Sequence, residues 1–301
     1  QLNRSPEGRE GHRPRMSDLR ESGCLAGDSL VTLADTGQRV PIRDLQGLKG
    51  FNVWALNLQS LKLEPTEVTN AFSTGTKPVF RLTTRLGRSI RTTANHRFFT
   101  LDGWMRLDEL RAGMQIALPR HVEAAQCSSE TMTIDQAALL GHLIGDGCTL
   151  PRHSIQYTTR ERDLAEKVVE LAISSFGSAL APRIVRERRW YQVYLASATK
   201  LTHGKQNPVA RWLRHLGIFG LRSHEKRVPE LLFSQESRFI ACFLGHLWAT
   251  DGCIRAPRGK TRHPVIYYAS SSEQLARDVQ TLLLRLGINA VFTKSSQGDK
   301  G

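Results

Sequence analysis

Two apolar runs in this chain each end in an aspartate followed by a glycine, at Asp146-Gly147 and at Asp251-Gly252. The first run reads LLGHLIGDG from residue 139, and the second reads FLGHLWATDG from residue 243. An ionised carboxylate is almost never buried without a partner or a metal, so an acid directly after a helix-like apolar run is a poor core residue. Because the pattern occurs twice, it predicts two helices whose terminal acids meet in a paired metal site.

A plainer interpretation makes both runs packing helices, each with a glycine cap and an aspartate at an exposed end. The two runs also differ, because the second has one more residue between Gly-His-Leu and the aspartate. His142 and His246 suggest metal ligands, but a histidine on a helix face is more often packed, so neither is assigned to the site.

The charge of the chain indicates a polyanionic partner. Its 42 basic and 28 acidic residues give a net charge of +14, for which nucleic acid is the first candidate. The five cysteines form no C-x-x-C pair, which argues against a disulfide framework or a zinc knuckle and leaves a chemical role for at least one thiol. No apolar run approaches the roughly 20 residues that span a bilayer, so we expect a cytoplasmic protein without a membrane partner.

The patterning predicts a mixed fold of two domains. Short β-like runs with turn residues between them predict a small all-β domain over residues 24–122. They cover residues 30–33, 39–42, 79–83 and 89–92. Residues 123–301 mix helix and strand signals. There, an amphipathic pattern at Leu164, Ala165, Val168 and Leu171 recurs 111 residues later and predicts an α/β domain with a pseudo-twofold repeat.

An arginine-rich stretch supplies a candidate DNA-binding element. Residues 183–227 contain eleven lysines and arginines against two glutamates. The run from Arg183 to Tyr194 mixes β-forming residues with arginine, which predicts a strand ribbon presenting guanidinium and aromatic groups on one face. Such a ribbon suits contact with phosphates and with base edges in the major groove. The predicted DNA contacts are Arg183, Arg186, Arg188 and Arg189.

The two Asp-ending runs resemble the paired signatures of the LAGLIDADG, or dodecapeptide, homing endonucleases. The resemblance implies site-specific cleavage of double-stranded DNA by the α/β domain. It assigns Asp146 and Asp251 to Mg²⁺, a hard cation that prefers carboxylate, water and phosphate oxygens. Lys226, followed by Pro229, matches the basic block that precedes the second helix in this family, and the match implies that Lys226 stabilises transition-state charge. Gly141, Gly245 and Ala249 are small enough to let the two helices approach closely.

Residues 24–120 resemble the N-terminal part of an intein, the self-splicing Hint fold. The resemblance rests on CLAGDS from Cys24, on Thr93-Ala94-Asn95-His96, and on the stretch from Gly103 to Pro119. It implies that the Cys24 thiol attacks the carbonyl of the preceding glycine to give a thioester. His96 would protonate the leaving amide nitrogen, and Thr93 would orient the same peptide. The closing His-Asn of this family does not occur in these 301 residues, so that splicing segment is missing.

Residues 1–23 resemble the segment before an insertion point in replicative helicases of the DnaB type, through Arg13-Pro14 and the run from Ser17 to Gly23. The resemblance implies host helicase segments as partners in cis and the uninterrupted helicase gene as the DNA target. A stray basic tail is the plainer interpretation. The chain has no G-x-x-x-x-G-K-[ST] loop, so we expect no ATP hydrolysis from it.

Two alternatives remain open. One is a DNA-binding protein of the same dodecapeptide fold that no longer cuts and acts as a regulator or maturase. The other is a Hint-type autoprocessing domain that transfers its N-terminal segment to another nucleophile without splicing.

Overall fold

The computed structural model describes residues 2–4, 23–123, 131–202, 204–257 and 263–295. Contacts divide the chain into two units, one of Gln1–Cys127 with Gly287–Gly301 and the other of Ser128–Leu286. The predicted domains, 24–122 and 123–301, differ from these units at the end of the chain. Residues after Gly287 join the first unit because the Phe292 amide donates to the Leu86 carbonyl at 3.0 Å. Most of the predicted host segment, and Cys127, lie outside the described residues.

The first unit is built from short antiparallel strands, as the sequence pattern predicts. Strands β1, β5 and β4 form one sheet in that order, and β2–β3, β6–β7 and β8–β9 pair as hairpins. The strands are β1 (Leu2–Arg4), β2 (Leu30–Thr32), β3 (Arg39–Pro41), β4 (Phe51–Leu56), β5 (Leu63–Ala71), β6 (Phe80–Thr83), β7 (Ser89–Thr92), β8 (Arg97–Thr100) and β9 (Gly103–Arg106). Two 3₁₀ turns, Ile42–Leu45 and Leu107–Glu109, interrupt them. Alternate residues of β4, Val53 and Ala55, are buried, as the period of a half-buried strand requires.

The second unit mixes helices and strands. Its helices are α1 (Ile134–Asp146), α2 (Arg162–Phe176), α3 (Pro208–His215), α4 (Glu230–Phe233), α5 (Ser237–Asp251) and α6 (Glu273–Arg285). Its strands are β10 (Gly147–Cys148), β11 (Gln156–Thr159), β12 (Arg183–Glu187), β13 (Trp190–Tyr194), β14 (Gly252–Arg255) and β15 (Val265–Tyr268). One sheet has the order β10-β11-β13-β12, and β14 pairs with β15 alone. The order helix, strand, strand, helix thus occurs twice, while the predicted pseudo-twofold relation stays a prediction.

Local sequence signals explain where the helices begin and which faces they bury. Helix α1 begins at a capping box, in which the Thr133 side chain accepts from the Gln136 amide and the Gln136 side chain accepts from the Thr133 amide. Most of the repeated apolar positions on α2 and α6 are core residues, such as Val168 on α2 and Leu282 on α6. No helix in the described ranges is both long and apolar enough to cross a membrane.

Candidate active sites

Cys24 lies at the start of the first unit in direct contact with Thr93. The Cys24 amide donates to Thr93 Oγ1 at 2.8 Å, and the Thr93 amide donates back to the Cys24 carbonyl at 3.0 Å. Thr93 Oγ1 donates in turn to Asn95 Oδ1 at 2.8 Å. Cys24 is only 8% exposed, so these bonds fix the peptide nitrogen of Cys24 in a site with little access for water.

His96 lies against the residue that precedes Cys24. A Cβ placed on Gly23 would lie 2.0 Å from His96 Cα and 2.2 Å from its backbone nitrogen, so only glycine has room there. Burial lowers the pKa of the His96 imidazole, and the adjacent Gly23 backbone opposes that shift. The backbone nitrogen of Cys24 thus bonds to Thr93, whereas His96 lies against Gly23, which carries the carbonyl of the same peptide bond.

Two residues near the thiol escaped the sequence analysis. Cys24 Sγ lies 3.1 Å from Thr74 Oγ1 and 3.9 Å from Lys77 Nζ. Both partners belong to the irregular segment between β5 and β6, about fifty residues along the chain. Nothing in their local pattern signals this contact, because it depends on how the strands return to Cys24.

In the second unit, helices α1 and α5 pack directly on each other along small residues of α1. A Cβ on Gly141 would lie 2.7 Å from the Phe243 carbonyl oxygen, and one on Gly145 would lie 2.0 Å from Thr250 Oγ1. The prediction that Gly245 and Ala249 share in this close approach is wrong. A Cβ on Gly245 would meet nothing within 4 Å, and both residues are exposed.

The extra residue in the second run explains this error. Aligned on their terminal acids, Gly141 corresponds to His246 and Gly145 to Thr250, which are the residues they contact. Each residue turns an α-helix by about 100°, so one inserted residue carries Gly245 away from the seam.

The two aspartates end these helices and influence each other. Burial raises the pKa of the Asp146 carboxyl, the charge of Asp251 raises it further, and Lys226 opposes both effects. Burial likewise raises the pKa of Asp251, again opposed by Lys226. Both residues are nevertheless exposed rather than buried as expected, so solvent and a ligand can reach their oxygens. Within the described residues, neither carboxylate is taken up by a hydrogen bond or an ion pair.

Lys226 is anchored beneath the two acids. Its Nζ donates to the Gly145 carbonyl at 2.6 Å and to the Gly147 carbonyl at 3.2 Å, on either side of Asp146. Ser272 holds the Lys226 backbone by donating to its carbonyl at 2.6 Å. Burial lowers the pKa of Lys226, while the two aspartates raise it. The structure therefore brings together the three residues that the sequence assigned to DNA cleavage.

Two tyrosines that the sequence analysis did not assign lie next to the acids. Tyr157 pairs with Gly147 across β10 and β11, and Tyr268 pairs with Gly252 across β14 and β15. Burial, together with the charge of Asp146, raises the pKa of Tyr157 to about 12. Burial, together with the charge of Asp251, likewise raises the pKa of Tyr268. A tyrosine opposite each Asp-Gly turn could have been noticed only once the strand register was known.

His142 and His246 bond to each other rather than to the acids. His142 Nε2 lies 2.9 Å from His246 Nδ1, and His142 is fully buried. Among the described residues, no group of three or more His, Cys, Asp or Glu side chains could hold a metal ion. The two imidazoles are thus engaged with each other at the seam between α1 and α5.

The arginine-rich ribbon forms, but its arginines do not share one face. Arg183 pairs with Tyr194, and its Cζ lies 5.0 Å from the tyrosine ring centroid. Arg186 pairs with Tyr191 and lies on the opposite face, because residues three apart in a strand point to opposite sides. Arg188 and Arg189 form the turn of the hairpin and are exposed.

Comparisons with known proteins cover both units. A family model described as an intein splicing domain matches residues 31–285. The replicative DNA helicase DnaB of Rhodothermus marinus is 63% identical over 302 residues, which cover 100% of this chain. The chain spans only 32% of that relative.

Two solved structures also share parts of the chain. The Ssp DnaB mini-intein variant M86 is 55% identical, covering 37% of this chain and 68% of that chain, with a TM-score of 0.33. The homing endonuclease I-DmoI in complex with DNA and Mn is 15% identical, covering 55% of this chain and 84% of that chain, with a TM-score of 0.38.

Proposed function

The chain belongs to the intein splicing family, and from that premise we propose that Cys24 begins splicing by attacking the Gly23 carbonyl. A bond forms between the Cys24 sulfur and the carbonyl carbon, the carbon–nitrogen bond breaks, and the nitrogen of Cys24 leaves as an amine. The observation that carries this proposal is the hydrogen bond from the scissile nitrogen to Thr93 at 2.8 Å, in a site where Cys24 is buried. Positioning of this kind lowers the barrier of an intramolecular step.

His96 acts in this proposal as the proton donor to the departing nitrogen. Its Cα and Cβ lie against Gly23, whose carbonyl belongs to the bond to be broken. Burial lowers its pKa, so the protonated form is a strong acid that transfers its proton readily once it forms. Thr93 keeps the peptide in place while this happens.

Thiol-induced cleavage tests the attack by Cys24. With dithiothreitol, a thioester at this junction releases residues 1–23, which mass spectrometry detects. We expect release from the wild type and from Cys253→Ala, and none from Cys24→Ala. Equal release from Cys24→Ala would contradict the assignment.

We also propose that the second unit cleaves double-stranded DNA with Mg²⁺ held by Asp146 and Asp251. The donor set suits this ion, because both groups are exposed carboxylates at converging helix C-termini, whose negative dipole ends favour a cation. Bound there, Mg²⁺ would polarise a phosphate oxygen and activate water. Lys226, whose Nζ is held by the carbonyls on either side of Asp146, stabilises the charge that develops on the phosphate.

The basic ribbon provides the proposed DNA contact. The sheet has one face that carries the buried Val193, and Arg183 lies on the other face. Arg188 and Arg189, at the hairpin turn, add two exposed arginines to the proposed contact. Arg186 lies on the other face, where a phosphate at the sheet edge is its available contact. The net charge of +14 supports a polyanionic partner.

The similarity to DnaB over the whole chain supports the proposal that host helicase segments flank this intein in cis and that the uninterrupted helicase gene is the target. A supercoiled plasmid with the uninterrupted junction, incubated with Mg²⁺, should be linearised, whereas a plasmid without the junction should not. Asp146→Asn should still retard the DNA in a gel but no longer cut it. Equal cutting by Asp146→Asn would contradict the metal assignment. Binding without cutting by the wild type would favour the inactive DNA-binding alternative.

A further inference from the structure

The segment between β5 and β6 brings two polar groups to the Cys24 sulfur. Thr74 Oγ1 lies 3.1 Å from Sγ, and Lys77 Nζ lies 3.9 Å from it. Cys24 is 8% exposed, so little water reaches it, and these two groups are polar contacts of its sulfur.

The attack by Cys24 needs a negatively charged sulfur. When the sulfur–carbon bond forms and the carbon–nitrogen bond breaks, a proton must leave sulfur and a proton must reach nitrogen, and water can carry it between them. In the proposed step, His96 supplies the proton that the nitrogen receives. The residues at the sulfur side are Thr74 and Lys77.

We propose that Thr74 and Lys77 form a cradle for the Cys24 thiolate and act as catalytic residues of the first splicing step. This inference rests on the proposed attack by Cys24. The Thr74 hydroxyl accepts a hydrogen bond from the thiol before ionisation and donates one to the thiolate afterwards, because a hydroxyl has both capacities. The Lys77 ammonium balances the charge of the thiolate. No described carboxylate forms an ion pair with Lys77, so its charge is available to the sulfur.

The rate at which Cys24 is alkylated measures directly how readily its sulfur reacts as a thiolate. The full chain is treated with iodoacetamide at fixed pH in low salt, and the Cys24 peptide is followed by mass spectrometry. Lys77→Met should slow alkylation about tenfold, near the bulk-water limit for a unit charge about 4 Å away, because the Lys77 side chain is exposed. Lys77→Arg should recover most of the rate of Cys24 alkylation. Lys62→Met, at an exposed lysine just before β5, should leave that rate unchanged.

Salt separates an electrostatic role from a structural one. In about 1 M salt the screening length falls to about 3 Å, so the difference in Cys24 alkylation rate between the wild type and Lys77→Met should become smaller. Thr74→Val should slow alkylation about fivefold, with Thr74→Ser close to wild type.

Dithiothreitol-induced release of residues 1–23 should fall in parallel with alkylation in both variants. Wild-type rates of alkylation and release in Lys77→Met and Thr74→Val would overturn the cradle. The cradle would also be overturned if Lys77→Met slowed alkylation but the rate kept the same dependence on salt concentration as in the wild type, because the slower rate would then have a structural cause. If the wild type releases no peptide while alkylation still depends on Lys77 and salt, the attack by Cys24 fails and the catalytic role of the cradle fails with it, whereas the contact of Lys77 with the thiolate stands.

Discussion

The buried histidine pair between α1 and α5 predicts that the second unit loses stability in mild acid. His142 is 0% exposed, and its Nε2 lies 2.9 Å from Nδ1 of His246. One of the two facing nitrogens must carry the proton and the other must accept it. Burial, aided by the charges of His246 and Lys167, lowers the pKa of His142 from 6.5 to about 4.

The sign of the effect follows from these two pKa values. Between pH 6.5 and pH 4 the unfolded chain binds a proton at His142 that the folded chain does not bind. Acidification therefore favours the unfolded state. Relative to pH 7, this one residue should cost about 2 kcal/mol of stability by pH 5 and about 3 kcal/mol by pH 4.

Urea unfolding at pH 7, 5 and 4 measures this loss of stability. Hydrogen exchange of peptides from α1 and α5, followed in the same samples, assigns the loss to the second unit. His142→Gln removes the titrating group and keeps an amide that can bond to His246. The wild type should lose about 2 kcal/mol more than His142→Gln between pH 7 and pH 5. His153→Gln, at an exposed histidine, should follow the wild type. Parallel losses in wild type and His142→Gln would refute the reasoning.

Two further predictions concern the helix seam and the scissile peptide. Gly141→Ala should lower the free energy of unfolding by about 1–3 kcal/mol because its Cβ would lie 2.7 Å from a carbonyl oxygen. Gly245→Ala should raise it by about 0.5–1 kcal/mol, since that site is open and alanine is the better helix former; equal effects in urea unfolding would contradict the seam. Thr93→Val should slow dithiothreitol-induced release of residues 1–23 about 10- to 100-fold, because the scissile nitrogen loses the group that positions it. Thr93→Ser is the control, and an unchanged release rate in Thr93→Val would contradict this role.

The sequence predicted the parts of the fold and site that depend on local pattern. The strand runs near residues 30–33 and 79–83 lie where the alternation placed them, and the family model confirms the intein resemblance. The acids Asp146 and Asp251 end their helices as predicted, because an apolar run followed by Asp-Gly fixes both the helix and its end.

The features that the sequence did not predict depend on helix and strand register and on contacts between residues far apart in the chain. Gly245 was misplaced because matching Gly-His-Leu between the runs ignores the inserted residue, which turns the helix by about 100°. Arg183 and Arg186 were assigned to one face because composition does not reveal the phase of a strand. Lys77 carried no signal, since only the fold of β4 to β7 brings that loop to the sulfur.

The seam between α1 and α5 is complementary rather than repeated. Helix α1 contributes gaps at Gly141 and Gly145, and α5 contributes the side chains of His246 and Thr250 that occupy them. Two copies of α1 would lack the His246 and Thr250 side chains that fill these gaps, and two copies of α5 would lack the gaps that receive those side chains. Each helix therefore selects the other and rejects its own kind, so the two halves are matched for pairing within one chain and poorly suited to exchange with a second molecule.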